Sequence, residues 1–118
     1  MDYYHHYING QTIAEFKAAG VVLSTAQEFL QMMMDAGVDG IIVHQENIDP
    51  EFFDLQSGLA GEMLQKVANY RLRLAIVGDF SIYDSKSLKA FSLESNRANR
   101  IVFVGTVEEG MKKLAVGF

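Results

Sequence analysis

The chain has 118 residues, 49% of them hydrophobic and 21% charged, with a formal charge of −5 and no cysteine. That length and composition build one ordinary core, and the missing thiols exclude disulfides, thiolate zinc sites and cysteine nucleophiles. The acidic balance argues against nucleic acid or an anionic membrane surface as partner, because both need clustered Lys and Arg to displace counterions.

No apolar stretch approaches the roughly 18 residues of a spanning helix, and the opening residues lack the pattern of a signal peptide. A single cytoplasmic domain over 1–118 is expected. Tyr3 to Ile8 and Thr12 to Lys17 are β-rich runs around Asn9-Gly10, the preferred pair for a type I′ turn, and read as a hairpin. His5 and His6 point to opposite faces of such a strand, which rules out joint chelation, and they read as solvent-facing or edge histidines. Tyr3, Tyr4 and Tyr7 read as sheet packing or an edge. Val21 to Leu23 forms another short extended piece. Thr25 and Glu28 make a capping box for a helix whose stripe is Phe29, Leu30, Met33 and Met34 and whose end is Gly37. Of Met32, Met33 and Met34, at least two are expected to fill core.

Two β-branched runs, Gly40 to Val43 and Leu74 to Gly78, flank a helical pattern, the signature of a crossover between parallel strands. His44, Gln45, Glu46 and Asn47 follow the first run, at the strand end where open α/β sheets bind ligands. Asp49-Pro50 starts a turn through Phe53, with Phe52 and Phe53 as a hydrophobic plug. Ser57, or Asp54 before it, caps a helix to about Tyr70, with Leu59, Met63, Leu64 and Val67 inward and Gly58 and Gly61 permitting close approach. A helix start favours an anion or phosphoryl group, so Asp54, Ser57 and Gly58 form a candidate regulatory or anion-binding group; a plain capping serine is the commoner use of this spacing. The second strand, Arg73 to Gly78, ends in Asp79-Phe80-Ser81. If the two strands are neighbours, His44, Glu46, Asp79 and Ser81 form a candidate ligand pocket that could hold a divalent metal or share a proton; hydrogen-bonded residues closing the strand ends are the plainer alternative. H-E-x-x-H, phosphate-loop, nucleophile-elbow and dinucleotide patterns are all missing, so no catalytic residue, metal or cofactor is assigned.

Asp84-Ser85 caps a helix through about Asn96, with Leu88 and Phe91 inward, Leu93 as a third inward candidate, and Lys86 and Lys89 outward. Asn96 to Asn99 turns the chain into a strand over Arg100 to Gly105. Thr106 and Glu109 make a second capping box before a helix through Leu114. The expected fold is α/β: a mixed sheet of about five strands, with an N-terminal hairpin and then alternating helix and parallel strand, and about four helices.

The blocks His44 to Asn47, Pro50 to Leu55, Gly58 to Glu62, Leu74 to Phe80, Ser85 to Leu88 and Glu94 to Asn96 closely resemble a bacterial family known as domain of unknown function 4180. That resemblance brings no activity. More distantly, the element order, Asp54 to Leu59 and the closing Thr106 to Gly110 look like the sulfate-transporter and anti-sigma-factor-antagonist (STAS) fold. Its regulatory members carry an Asp-Ser-Ser-Gly-Leu motif whose serine before the glycine is phosphorylated by a partner kinase, and Ser57 is the matching position; one extra residue separates Asp54 from the Ser-Gly pair. This implies a non-enzymatic regulatory or protein-binding module, switched at Ser57, with a protein partner. The alternative is a small ligand-binding or metal-assisted enzyme using His44, Glu46 and Asp79. The methionine-rich helix and tyrosine-rich hairpin are both candidate surfaces for a homodimer.

Overall fold

The computed structural model describes residues 2–17, 19–21 and 23–115. Strands β1 (Asp2–Ile8) and β2 (Gln11–Lys17) pair antiparallel through seven residues, from Asp2 opposite Lys17 to Ile8 opposite Gln11. Asn9 and Gly10 turn between them at φ 52 and 77, the positive pair that a type I′ turn demands. There follow α1 (Ala26–Ala36), β3 (Gly40–His44), α2 (Leu59–Asn69), β4 (Leu74–Val77), α3 (Lys86–Ala98), β5 (Ile101–Val104) and α4 (Val107–Ala115). The sheet order is β1-β2-β3-β4-β5, with every pair after the hairpin parallel. The mixed five-stranded sheet and four helices are those the sequence predicts.

Parallel strands added in one direction by right-handed crossovers put all their helices on one face. The packing follows that rule. Phe29 and Met32 of α1, Met63 and Val67 of α2 and Leu88 of α3 share one core with Ile41, Val43, Ile76 and Phe103. Phe52 is fully buried there, its ring 5.8 Å from Phe29 and 6.3 Å from Phe103, so the phenylalanine plug is real. A second, smaller core on the opposite face holds Ile13, Ile42, Ala75, Val102 and Val104 under Leu114 of α4. Gly110 lets α4 lie close: a Cβ there would stand 3.2 Å from Ala75.

Arg73, just before β4, ties that last helix down. The residue is 4% exposed, and its guanidinium donates from Nε to Asn99 O (3.0 Å), from Nη1 to Leu114 O (2.6 Å) and from Nη2 to Lys113 O (2.7 Å). The last carbonyls of a helix have no partner inside it, and a cation at that end complements the dipole. Burial, and then the charge of Arg100, pull the Arg73 pKa down, but a guanidinium keeps its proton in proteins. At the β5 edge, Asn96 donates Nδ2 to Phe103 O (3.2 Å) and accepts Phe103 N on Oδ1 (2.6 Å), while the Ser95 hydroxyl donates to Ile101 O. One side-chain amide thus does what a neighbouring strand would do.

The capping box of Thr25 and Glu28 is present, and Ser85 and Thr106 accept from Leu88 N and Glu109 N at 3.1 Å each. Several local expectations need correction. Asp54 does not cap α2 but the short 3-10 turn Leu55–Ser57; the N-cap residue of α2 is Gly58, at φ 82, and Ser57, one position earlier, accepts only the first helical N–H, that of Leu59. Gly61 faces open space and permits no close approach. Leu93 is 65% exposed, and α3 runs on to Ala98 before Asn99 turns at φ 59. Met32 and Met33 are buried and Met34 is exposed, in line with core filling. Leu23 makes an isolated bridge to Ile48, and Val22 lies outside the described residues.

Candidate functional site

Alternation along β2 puts Glu15 and Lys17 on the face of Ile13, the face α4 covers, and alternation along β3 does the same for His44 after Ile42. In β1 the register places Tyr4 opposite Glu15 and His6 opposite Ile13, on that same face. From the end of β5, α4 runs back across Ala75 to Gly40 at the start of β3, where Leu114 packs. Its path leads away from the corner formed by the ends of β2 and β3 and the start of β1.

At that corner the side chains converge on Glu15. The residue is 5% exposed. His44 Nε2 lies 3.1 Å and Lys17 Nζ 3.0 Å from Oε2, and His6 Nε2 lies 3.5 Å from Oε1. Lys17 also sits over the Tyr4 ring, 4.7 Å from its centre. Burial pushes the Glu15 carboxyl up, but the bonds from His44, Lys17 and His6 outweigh it and hold the pKa below the usual value. Glu15 is therefore a buried carboxylate, tolerated because it is partnered. An ionised Glu15 requires a hydrogen on the His44 nitrogen facing it, and the other side of the ring accepts the Asn47 backbone N–H of the turn that follows. Both ends of the imidazole are thus engaged, which holds the ring in one orientation.

Sequence reasoning passed over Glu15. The signal was a lone acid between Ile13, Ala14 and Phe16 in a strand otherwise apolar at its centre, a place where an acid is kept only when paired.

The four strand-end residues are dispersed. β3 and β4 are indeed neighbours, with His44 opposite Val77, yet His44 turns to Glu15. Glu46 is exposed on the 3-10 turn Gln45–Asn47. Asp79 is engaged with Ser81, accepting from its N at 3.1 Å and its Oγ at 2.6 Å, bonds that lower the Asp79 pKa. Among the described residues, no group of three or more His, Asp or Glu side chains is placed to hold a metal ion. Gln45, which the sequence did not single out, joins the strand ends: Nε2 donates to Tyr83 OH at 2.9 Å and Oε1 accepts Asp79 N at 3.0 Å. Buried Asn47 fixes the turn, accepting His44 N at 3.3 Å and donating to Gly20 O at 3.1 Å. Gln45 lies against Gly78, where a Cβ would meet its Oε1 at 2.3 Å and its Cβ at 2.6 Å. Gly78→Ala is expected to expel Gln45 and cost about 1 kcal/mol, by forced repacking. Urea unfolding measures this, and an unchanged midpoint would show that Gln45 swings aside freely.

Ser57 is exposed, donating to Glu51 O at 2.6 Å and accepting Leu59 N at 3.3 Å. With Ser24, Thr25, Gln27, Glu51 and Glu62 it lines an open cleft of about 360 Å³ between the starts of α1 and α2.

A mixed five-stranded sheet with helices on both faces and a carboxylate-centred polar corner defines a small α/β domain. The chain belongs to the family described as domain of unknown function DUF4180, whose profile matches residues 8–114. No curated protein and no solved structure matches it. No helix among the described residues is long and apolar enough to cross a membrane.

Proposed function

We propose that the chain is a regulatory, protein-binding module whose contact surface is the corner of Tyr4, His6, Lys17 and His44 around Glu15. The observation that carries this reading is the buried Glu15 carboxylate, which fixes three partly exposed basic side chains at one surface. Groups oriented in advance lose little entropy on binding. The complementary partner brings an acidic side chain to Lys17, the most exposed of the three.

A second reading places the contact at Ser57, and the specific observation in its favour is the exposed hydroxyl in the cleft between α1 and α2. The likeness of Asp54 to Leu59 to the STAS regulators supports it. Phosphate on Ser57 would lie near two helix starts, which favour an anion, but beside Glu51 and Glu62, which oppose it.

One experiment separates the two. The tagged protein is purified from its native cells as wild type, as the Lys17→Ala/His44→Ala double variant and as Ser57→Asp, each with native circular dichroism, and the co-purifying proteins and the Ser57 peptide are quantified by mass spectrometry. A partner lost from the double variant and kept by Ser57→Asp is the expected result. Loss confined to Ser57→Asp, or phosphate on Ser57, moves the contact to the cleft. Identical profiles for all three would overturn both.

A further inference from the structure

We propose that two copies of the chain pair antiparallel through the outer edge of β1, joining their sheets about a two-fold axis at His5. The two edges of the sheet are treated differently. On β5, Asn96 and Ser95 occupy the backbone groups of Phe103 and Ile101. On β1, a seven-residue strand in unbroken register with β2, there is no proline and no bulge, and among the described residues no strand lies beyond it. A long, unbroken edge of this kind is a template for another strand.

The hairpin fixes which backbone groups face outward. Residues flanking a two-residue type I′ turn form a hydrogen-bonded pair, here Ile8 and Gln11. Alternation then makes Tyr7 opposite Thr12 a non-bonded pair, and the Thr12 carbonyl indeed turns away from β1 to accept Asp39 N at 3.0 Å. The N–H and C=O of Tyr7, and by the same alternation of His5, therefore point away from β2.

Outward residues of β1 carry odd numbers, so a bonded pair between copies must join odd to odd. Registers that set Tyr4 against Tyr7 are excluded by that parity. The register with full overlap sets His5 opposite its own copy and Tyr4 opposite His6 of the second copy.

The seam's own chemistry suits a second copy as occupant. In a chain of net charge −5, no Asp, Glu, Lys or Arg occurs from Tyr3 to Ile13, so the seam opposes no like charges. Tyr4 and Tyr7 are 59% and 78% exposed and gain cover on pairing; aromatic cross-strand contacts stabilise such ladders. The pairing also brings Tyr4 of the second copy beside His6, so two Glu15 corners become one surface. It rests on the edge alone and stands or falls apart from the proposed partner contact.

Sedimentation equilibrium of the full chain, at concentrations from low to high micromolar, tests this. The expected species is a dimer of twice the 13.2 kDa chain mass. His5→Pro deletes an outward N–H and spares the bonds to β2, and Tyr7→Lys adds charge to the edge; each is expected to be monomeric with native circular dichroism. Slow amide exchange at His5 and Tyr7 in the wild type, lost on dilution, is the expected companion. A monomeric wild type, or a dimer that survives in whichever variant is folded, overturns the proposal.

Discussion

Replacing Arg73 with methionine is expected to lower the unfolding free energy by about 3 kcal/mol, since it deletes three charge-assisted hydrogen bonds at a buried site. Methionine fills much of the space of the side-chain stem, so the loss falls on the carbonyls of Asn99, Lys113 and Leu114. The melting temperature should fall on the order of 10 °C for a domain of this size. Arg73→Lys should recover only part of the loss, because an ammonium cannot span carbonyls that the guanidinium fork reaches together. An unchanged melting temperature in Arg73→Met would show that α4 is held by its apolar face alone.

Glu15→Gln is expected to cost about 2 kcal/mol near neutral pH, the scale of hydrogen bonds to a charged group. The pH dependence gives the sign. The carboxyl pKa is lower in the folded chain than in an ordinary glutamate, through its bonds to His44, Lys17 and His6 acting against burial. The stability from ionised Glu15 is therefore complete above the unfolded pKa and is lost as pH falls through the folded value. Wild type and Gln variant should differ most at neutral pH and converge in acid. Urea unfolding at a series of pH values measures the gap, and parallel curves would show that Glu15 contributes nothing by its charge.

Local chemistry was legible in the sequence and distant pairing was not. Asn9-Gly10, the Thr25–Glu28 box and the Ser85 and Thr106 caps act within a few residues of themselves, and all form as read. Arg73 reaches Leu114 and Lys113, 41 and 40 residues further on, and Glu15 reaches His44, 29 residues further on, and nothing in the local pattern announces those partners. Asp54 and Ser57 both have the chemistry of a cap, but the chain spends Asp54 on a separate 3-10 turn and starts α2 from Gly58. On α3 the residue type misled. Leu88 and Ser95, seven apart and on one helical face, are the buried pair, and Ser95 is accepted inside because its hydroxyl donates a hydrogen bond to Ile101 O, while Leu93 is left in water. At the candidate site, His44 was visible as a polar residue at a strand end, whereas its true partner lay in a strand that read as ordinary.

The order of synthesis gives the sheet topology a further meaning. Each strand after the first pairs with the one made just before it, and α1, α2 and α3 cover their face as the strands are added. Only α4 returns across finished strands to cover Ile42, Ala75 and Val102. A nascent chain halted before Val107 would carry a complete helical layer on one side and a bare apolar sheet on the other. Such half-dressed sheets are prone to stick to one another, so the nine residues of α4, the last element added, are what close the second apolar face.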